Sequence, residues 1–105
     1  MKRILLGTIS FQGTENSVAA TLSSTVKTAA ETVGRPGWSF DALYRRMRIA
    51  ARLDMAEDAK AGHVDLEDSD FELLKKIVTE DAIYLAIDQG VVDLVDRVRN
   101  ATEIG

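Results

Sequence analysis

The acidic stretch between positions 57 and 72 has the residue types and spacing of a possible metal site. Gly62 fits the sharp-turn position of an EF-hand calcium loop, which places Glu57 and Asp68 at its first and last ligand positions. The third and fifth positions hold Ala59 and Ala61, whose side chains offer no oxygen. Because calcium needs about six to eight oxygen ligands, the sequence predicts a structural turn that holds neither a metal nor a cofactor.

The same stretch could supply a general acid and base, since two carboxylates in different environments can exchange protons. A run this dense, at a turn and a helix start, is more typical of solvated surface. His63 is the only histidine and there is no cysteine, so no His/Cys ligand set and no cysteine nucleophile is present. We therefore expect no enzymatic activity. Four of these carboxylates are candidates for an acidic face that contacts a basic partner: Asp65, Glu67, Asp68 and Asp70.

Three arginines, Arg45, Arg48 and Arg52, follow one another at about one helical turn and form a basic stripe. Such a stripe is a hypothesis for DNA contact. The net charge of −4 argues against it, because affinity for phosphates comes from basic residues. The favoured interpretation is that these arginines pair with the acidic turn that follows the same helix.

Composition predicts one globular domain over residues 1–105, with 46% hydrophobic and 29% charged residues. No apolar run approaches the length of a membrane span, so we expect no membrane association. The absence of cysteine fits a reducing compartment, and the expected location is cytoplasmic.

Periodicity predicts a mostly α fold, a compact domain of three or four helices with a short N-terminal β element. A strand is predicted over 3–12. For the next segment, a helix over 17–33 competes with a strand through 22–26. The later elements are an extended piece over 64–66 and helices over 40–60, 68–80 and 83–101.

The helix over 40–60 carries apolar residues on two sides. The larger arc is expected to face the core and comprises Phe40, Leu43, Tyr44, Met47, Ala50, Ala51 and Met55. Ile49, Leu53 and Ala56 lie on the opposite side as a second patch. The strand 3–12 needs a partner, which is either 64–66, the segment in the 20s, or a second chain. The last possibility, together with this second patch, predicts a homo-oligomer, most simply a dimer. Trp38, just before this helix, either packs against the core at the helix start or anchors an interface.

Residues 44–98 resemble small bacteriophage and prophage proteins of unassigned role. The resemblance rests on the segments LYRRMRIAARL, AGHVDLED and DFELLKKIV, which are followed by an apolar helix. The matching positions are Gly62, Val64, Leu66, Asp70, Leu74 and Lys75. The resemblance implies a phage origin and carries over no activity and no site.

These observations favour a small non-enzymatic protein–protein interaction module that self-associates and serves particle assembly or acts as a host-directed accessory. Two alternatives remain open. The first is an acidic anti-defence inhibitor that occupies the nucleic-acid channel of a host protein. The second is a DNA-contacting accessory that uses Arg45, Arg48 and Arg52.

Overall fold

The fold combines helices with two small antiparallel sheets, and is therefore more mixed than the mostly α prediction. A computed structural model describes residues 1–28, 40–82, 84 and 88–104. The strands are β1 Lys2–Leu5, β2 Thr8–Phe11, β3 Thr14–Ser17, β4 His63–Leu66 and β5 Thr102–Glu103. The helices are α1 Val18–Thr28, α2 Phe40–Asp58, α3 Asp68–Lys76 and α4 Gln89–Arg99, and a π-helical turn, Ile77–Asp81, continues α3.

The predicted strand over 3–12 is wrong as a single element, because the chain bends at Gly7. This glycine has a φ of 96°, a conformation that residues with a Cβ rarely adopt. The chain then forms a hairpin in which Thr8 of β2 pairs with Ser17 of β3. Gln12 and Gly13 at the hairpin turn both have positive φ, as the favoured two-residue hairpin turns require.

The first strand has partners within the chain. β1 lies at the centre of a three-stranded sheet, between β4 and β5. Ile4 pairs with Val64 and Lys2 with Glu103. The extended piece predicted at 64–66 therefore forms, and it pairs with β1. Of the three partners that the sequence leaves open for this strand, 64–66 is the one observed, so the predicted homo-oligomer loses the support of an unpaired strand.

The helix predictions are confirmed in outline, although several boundaries differ. Residues 18–28 form α1, so the competing strand through 22–26 is wrong. The predicted helix 40–60 is α2, and 68–80 is α3 with its π-helical turn. The last helix starts only at Gln89, where the Asp88 side chain accepts the N–H of Gly90. Residues 29–33, Trp38, Ile83 and Ile87 lie outside the described residues.

The core lies against the side of α2 that was predicted to be free for association. Ile49 and Leu53 are completely buried, and Ala56 is nearly so. They pack among fully buried side chains of the sheet and the other helices: Ile4, Leu22, Leu66, Leu74, Ile77 and Leu94. As interaction candidates Ile49 and Leu53 are therefore wrong, because a partner cannot reach them in the folded chain.

Candidate protein-interaction surface

Most of the larger apolar arc of α2 points to solvent, although Ala50 is buried. We call Phe40, Leu43, Tyr44, Met47 and Met55 the outward face. Phe40 is 82% exposed, Met47 64% and Met55 71%. Among the described residues, five of the eight large apolar side chains that are exposed belong to this face. The outward face is thus a concentrated apolar surface, whereas the other three are scattered over β1, α4 and Tyr84.

The position of α2 explains why this face is left open. α1 packs along one side of α2, while α3 and β4 contact the other. Along the exposed side of α2, Phe40, Tyr44, Met47 and Ala51 are spaced by four, three and four residues, and Met47 and Ala51 also line the groove beside α1. This alternation is typical of the seam between two packed helices. The outward face therefore has the pattern of a helix that pairs with another helix.

The basic stripe borders the outward face and is held by α3 and β4. Arg48 forms a two-pronged ion pair with Asp70, with Nε 3.0 Å from Oδ2. Arg45 donates to the backbone carbonyl of Ser69 at 3.3 Å, and Arg52 to that of Asp65 at 3.4 Å. All three arginines thus contact the segment after α2, and the predicted pairing with a carboxylate is confirmed for Arg48, whereas Arg45 and Arg52 contact backbone carbonyls.

The opposite border of the outward face is acidic and contacts α1. Asp54 accepts the hydroxyl of Ser23 at 2.5 Å and the ammonium of Lys27 at 3.0 Å. These two hydrogen bonds lower the pKa of Asp54, because both stabilise the carboxylate. One turn later, Glu57 accepts the hydroxyl of Ser17. The outward face therefore lies between a basic border and an acidic one.

The proposed acidic face is largely neutralised by contacts within the chain. Asp65 accepts two hydrogen bonds from Arg3, at 2.8 and 3.1 Å, which hold the pKa of Asp65 below its usual value. Asp68 lies 2.8 Å from the amino group of Met1, and that contact lowers the pKa of Asp68. Asp70 is buried under Arg48.

Glu67, the fourth candidate of the acidic face, lies at the start of α3. It is the residue before α3, and its backbone carbonyl accepts the N–H of Phe71 at 2.8 Å. Its side chain makes no capping hydrogen bond. Across the described ranges, no three acidic, histidine or cysteine residues group to hold a metal ion.

A shallow groove between α1 and α2 adjoins the outward face. Its volume is about 300 Å³. Its apolar lining comes from Val26 of α1 and from Leu43, Met47, Ala50 and Ala51 of α2. Three charged residues, Lys27, Arg46 and Asp54, complete the lining. The sequence signal for this groove is the pair of small residues at 50 and 51, which leaves space beside the larger side chains.

Sequence reasoning also missed the role of Arg46. This side chain is 3% exposed and donates to the carbonyl of Val26 at 3.1 Å and to Asp81 at 3.3 Å. Arg46 thereby joins α2 to α1 and to the π-helical turn. The available signal was its angular position, since 46, 49 and 53 lie on one side of a helix.

Comparison with known proteins gives no matching family model, no matching curated protein and no matching solved structure. Within the part of the chain that the structure describes, no helix is both long and apolar enough to cross a membrane.

Proposed function

We propose that this protein is a non-enzymatic protein–protein interaction module that self-associates through the outward face of α2. The observation that carries this proposal is the exposure of five large apolar side chains on one helix face. Contiguous apolar surface of this kind is unfavourable in water and marks interaction sites.

The size of the outward face fits a dimer of this chain. If each side chain carries about 200 Å², the exposed fractions amount to roughly 600 Å². A stable interface buries about 800 Å² on each partner, so the outward face would supply most of that area and its charged borders the rest. A second copy offers a surface of the same length and the same four-three-four spacing, which suits the self-complementary contact of a two-fold dimer.

The two alternative functions receive less support from the surface. Asp65, Asp68 and Asp70 are engaged with Arg3, Met1 and Arg48. An inhibitor that mimics nucleic acid would need such carboxylates available to its target. Arg48 is likewise committed to Asp70, which reduces its value for phosphate contact. The resemblance to small phage proteins supports a phage-encoded setting, in which the module would serve particle assembly or act as a host-directed accessory.

Light scattering of the purified chain over a concentration series tests the proposal. We expect a dimer mass at high micromolar concentration and a shift toward the monomer on dilution. Met47→Glu places a charge at the centre of the outward face and should leave a folded monomer, because an unpaired charge in an apolar interface is costly.

Val92→Glu is the matched control. Val92 is an exposed apolar residue on α4, away from the outward face. It should keep the mass of the unmodified chain. A monomer mass for the unmodified chain at high micromolar concentration would overturn the proposal, and so would a Met47→Glu variant that remains a dimer.

A further inference from the structure

We propose that the dimer is parallel, with its two-fold axis along α2, and that the groove between α1 and α2 of each protomer receives Tyr44 of the other. This inference rests on the proposed function, since it specifies how two outward faces meet.

The groove has the dimensions and lining of a receptor for one side chain. Its volume of about 300 Å³ is at the lower end of the range for ligand pockets, which is about 300–1,000 Å³. Its lining is mostly apolar, apart from Lys27, Arg46 and Asp54. Leu43 and Met47 belong both to the groove and to the outward face. A helix packed on the outward face would therefore cover the groove as well.

Tyr44 is placed to fill that groove in a parallel pair. It is 58% exposed and lies toward the basic border of the outward face, whereas the groove lies toward the acidic border. A two-fold axis along the helix sets the basic border of one copy against the acidic border of the other, at the same height along α2. Tyr44 then lies level with Leu43 and Met47 of the second copy. Its ring would enter apolar surroundings while its hydroxyl stays near the charged rim, an arrangement that suits tyrosine.

The charges of the two borders favour the same orientation. Arg52 lies on one border and Asp54 on the other, about 3 Å apart along the helix axis at about 1.5 Å per residue. A parallel dimer sets Arg52 of one copy on the same side as the Lys27–Asp54 ion pair of the second copy, so the basic stripe meets a border that is already paired. An antiparallel dimer would set the basic stripe of one copy against the basic stripe of the other, and like charges at an interface are unfavourable.

Single-cysteine variants distinguish the orientations, because the chain contains no cysteine of its own. Phe40→Cys and Ala51→Cys lie on the seam about 16 Å apart along α2. In the parallel dimer each introduced cysteine lies next to the same cysteine of the second copy, with the two Cα atoms within the separation of about 4.4–6.8 Å that a disulfide requires. We expect both variants to form disulfide-linked dimers under mild oxidation on a non-reducing gel. Val92→Cys is the control and should remain a monomer on the gel.

The outcomes separate this inference from the proposed function. A dimer by light scattering that cross-links only when Phe40→Cys is mixed with Met55→Cys would be antiparallel, which overturns the inference and leaves the proposed function in place. A dimer that gives no cross-link at either seam position also overturns the inference. A monomer by light scattering overturns both.

The role of Tyr44 is tested by the dissociation constant of the dimer. Tyr44→Ala should weaken the dimer by about tenfold or more, as the loss of a buried aromatic anchor does, and Tyr44→Phe should stay close to the unmodified chain. Leu5→Ala, at an exposed apolar position on β1, is the control. A Tyr44→Ala variant that dimerises as tightly as Leu5→Ala would overturn the assignment of Tyr44 to the groove.

Discussion

The two sides of α2 show that the apolar content of a helix face does not decide which face is buried. The outward face holds Phe40, Tyr44 and Met47, whereas the buried side holds Ile49, Leu53 and an arginine, Arg46. Yet the side with the arginine is the one that packs against the sheet and the other helices.

The difference follows from what each side meets. Branched aliphatic side chains at Ile49 and Leu53 fit the close packing between helices and a sheet. The charge of Arg46 is accommodated because Asp81 and the carbonyl of Val26 accept its hydrogen bonds. The long, flexible side chains of Met47 and Met55 suit a surface that adapts to a partner. The smaller apolar side therefore stabilises the fold, and the larger one stays exposed and is the surface that we propose for association.

Truncating one side chain on each side of α2 should give the largest difference in the free energy of unfolding. Leu53→Ala leaves a cavity in the core and should lower the free energy of unfolding by about 2–5 kcal/mol. Met55→Ala, on the outward face, should change it by about 0.5 kcal/mol or less. Urea denaturation at concentrations too low for dimerisation measures both. Equal losses would contradict the assignment of the two sides.

The arginines of α2 give a second contrast, between a buried ion pair and an exposed contact. Arg46→Met removes the ion pair between Arg46 and the buried carboxylate of Asp81, which also lies 3.7 Å from Lys76, and should cost about 3–5 kcal/mol. Arg52→Met removes one exposed contact to a backbone carbonyl and should cost about 0.5 kcal/mol or less. Thermal unfolding of the two variants side by side checks this, and a stable Arg46→Met variant would show that the ion pair is dispensable.

Acid should weaken the fold through two carboxylates, Asp54 of α2 and Asp65 of β4, with a smaller effect on the free energy of unfolding. Hydrogen bonds lower the pKa of Asp54 and Asp65 in the folded chain, below the value of about 3.9 expected when unfolded. A depressed pKa contributes stability above the unfolded value, and that contribution is lost as the pH falls through the folded value. Asp65→Asn should therefore show a smaller drop in urea midpoint between pH 6 and pH 3 than the unmodified chain. An equal drop would show that the Arg3–Asp65 pair does not contribute to the acid sensitivity.

Local signals in the sequence were enough to predict most helices. The 3.6-residue periodicity and the break near Pro36 indicate α2, and the acidic start of α3 at Asp68 and Asp70 complements the helix dipole. The contact of the arginine stripe with the acidic segment was also predictable, because α2 leads directly into that segment.

Features that depend on distant parts of the chain were not predictable. Thr14–Ser17 shows no alternation of apolar and polar residues, so the sequence did not indicate β3. The positive φ of Gly7, which separates β1 from β2, cannot be inferred from hydrophobic periodicity. Both sides of α2 carry apolar residues. Which side is buried depends on where α1 and the sheet pack, and the periodicity of a single helix does not give the positions of its neighbours.

The most direct test of the account is whether a second copy covers the outward face, and the methionines of the unmodified chain report this. Met47 and Met55 lie on that face, and Met1 does not. Exposed methionine is oxidised to its sulfoxide, so peroxide treatment followed by mass spectrometry measures the access to each residue. We predict that Met47 and Met55 are oxidised more slowly as protein concentration rises, while the rate at Met1 stays constant. Rates at Met47 and Met55 that do not depend on concentration, up to the high micromolar range, would contradict the account.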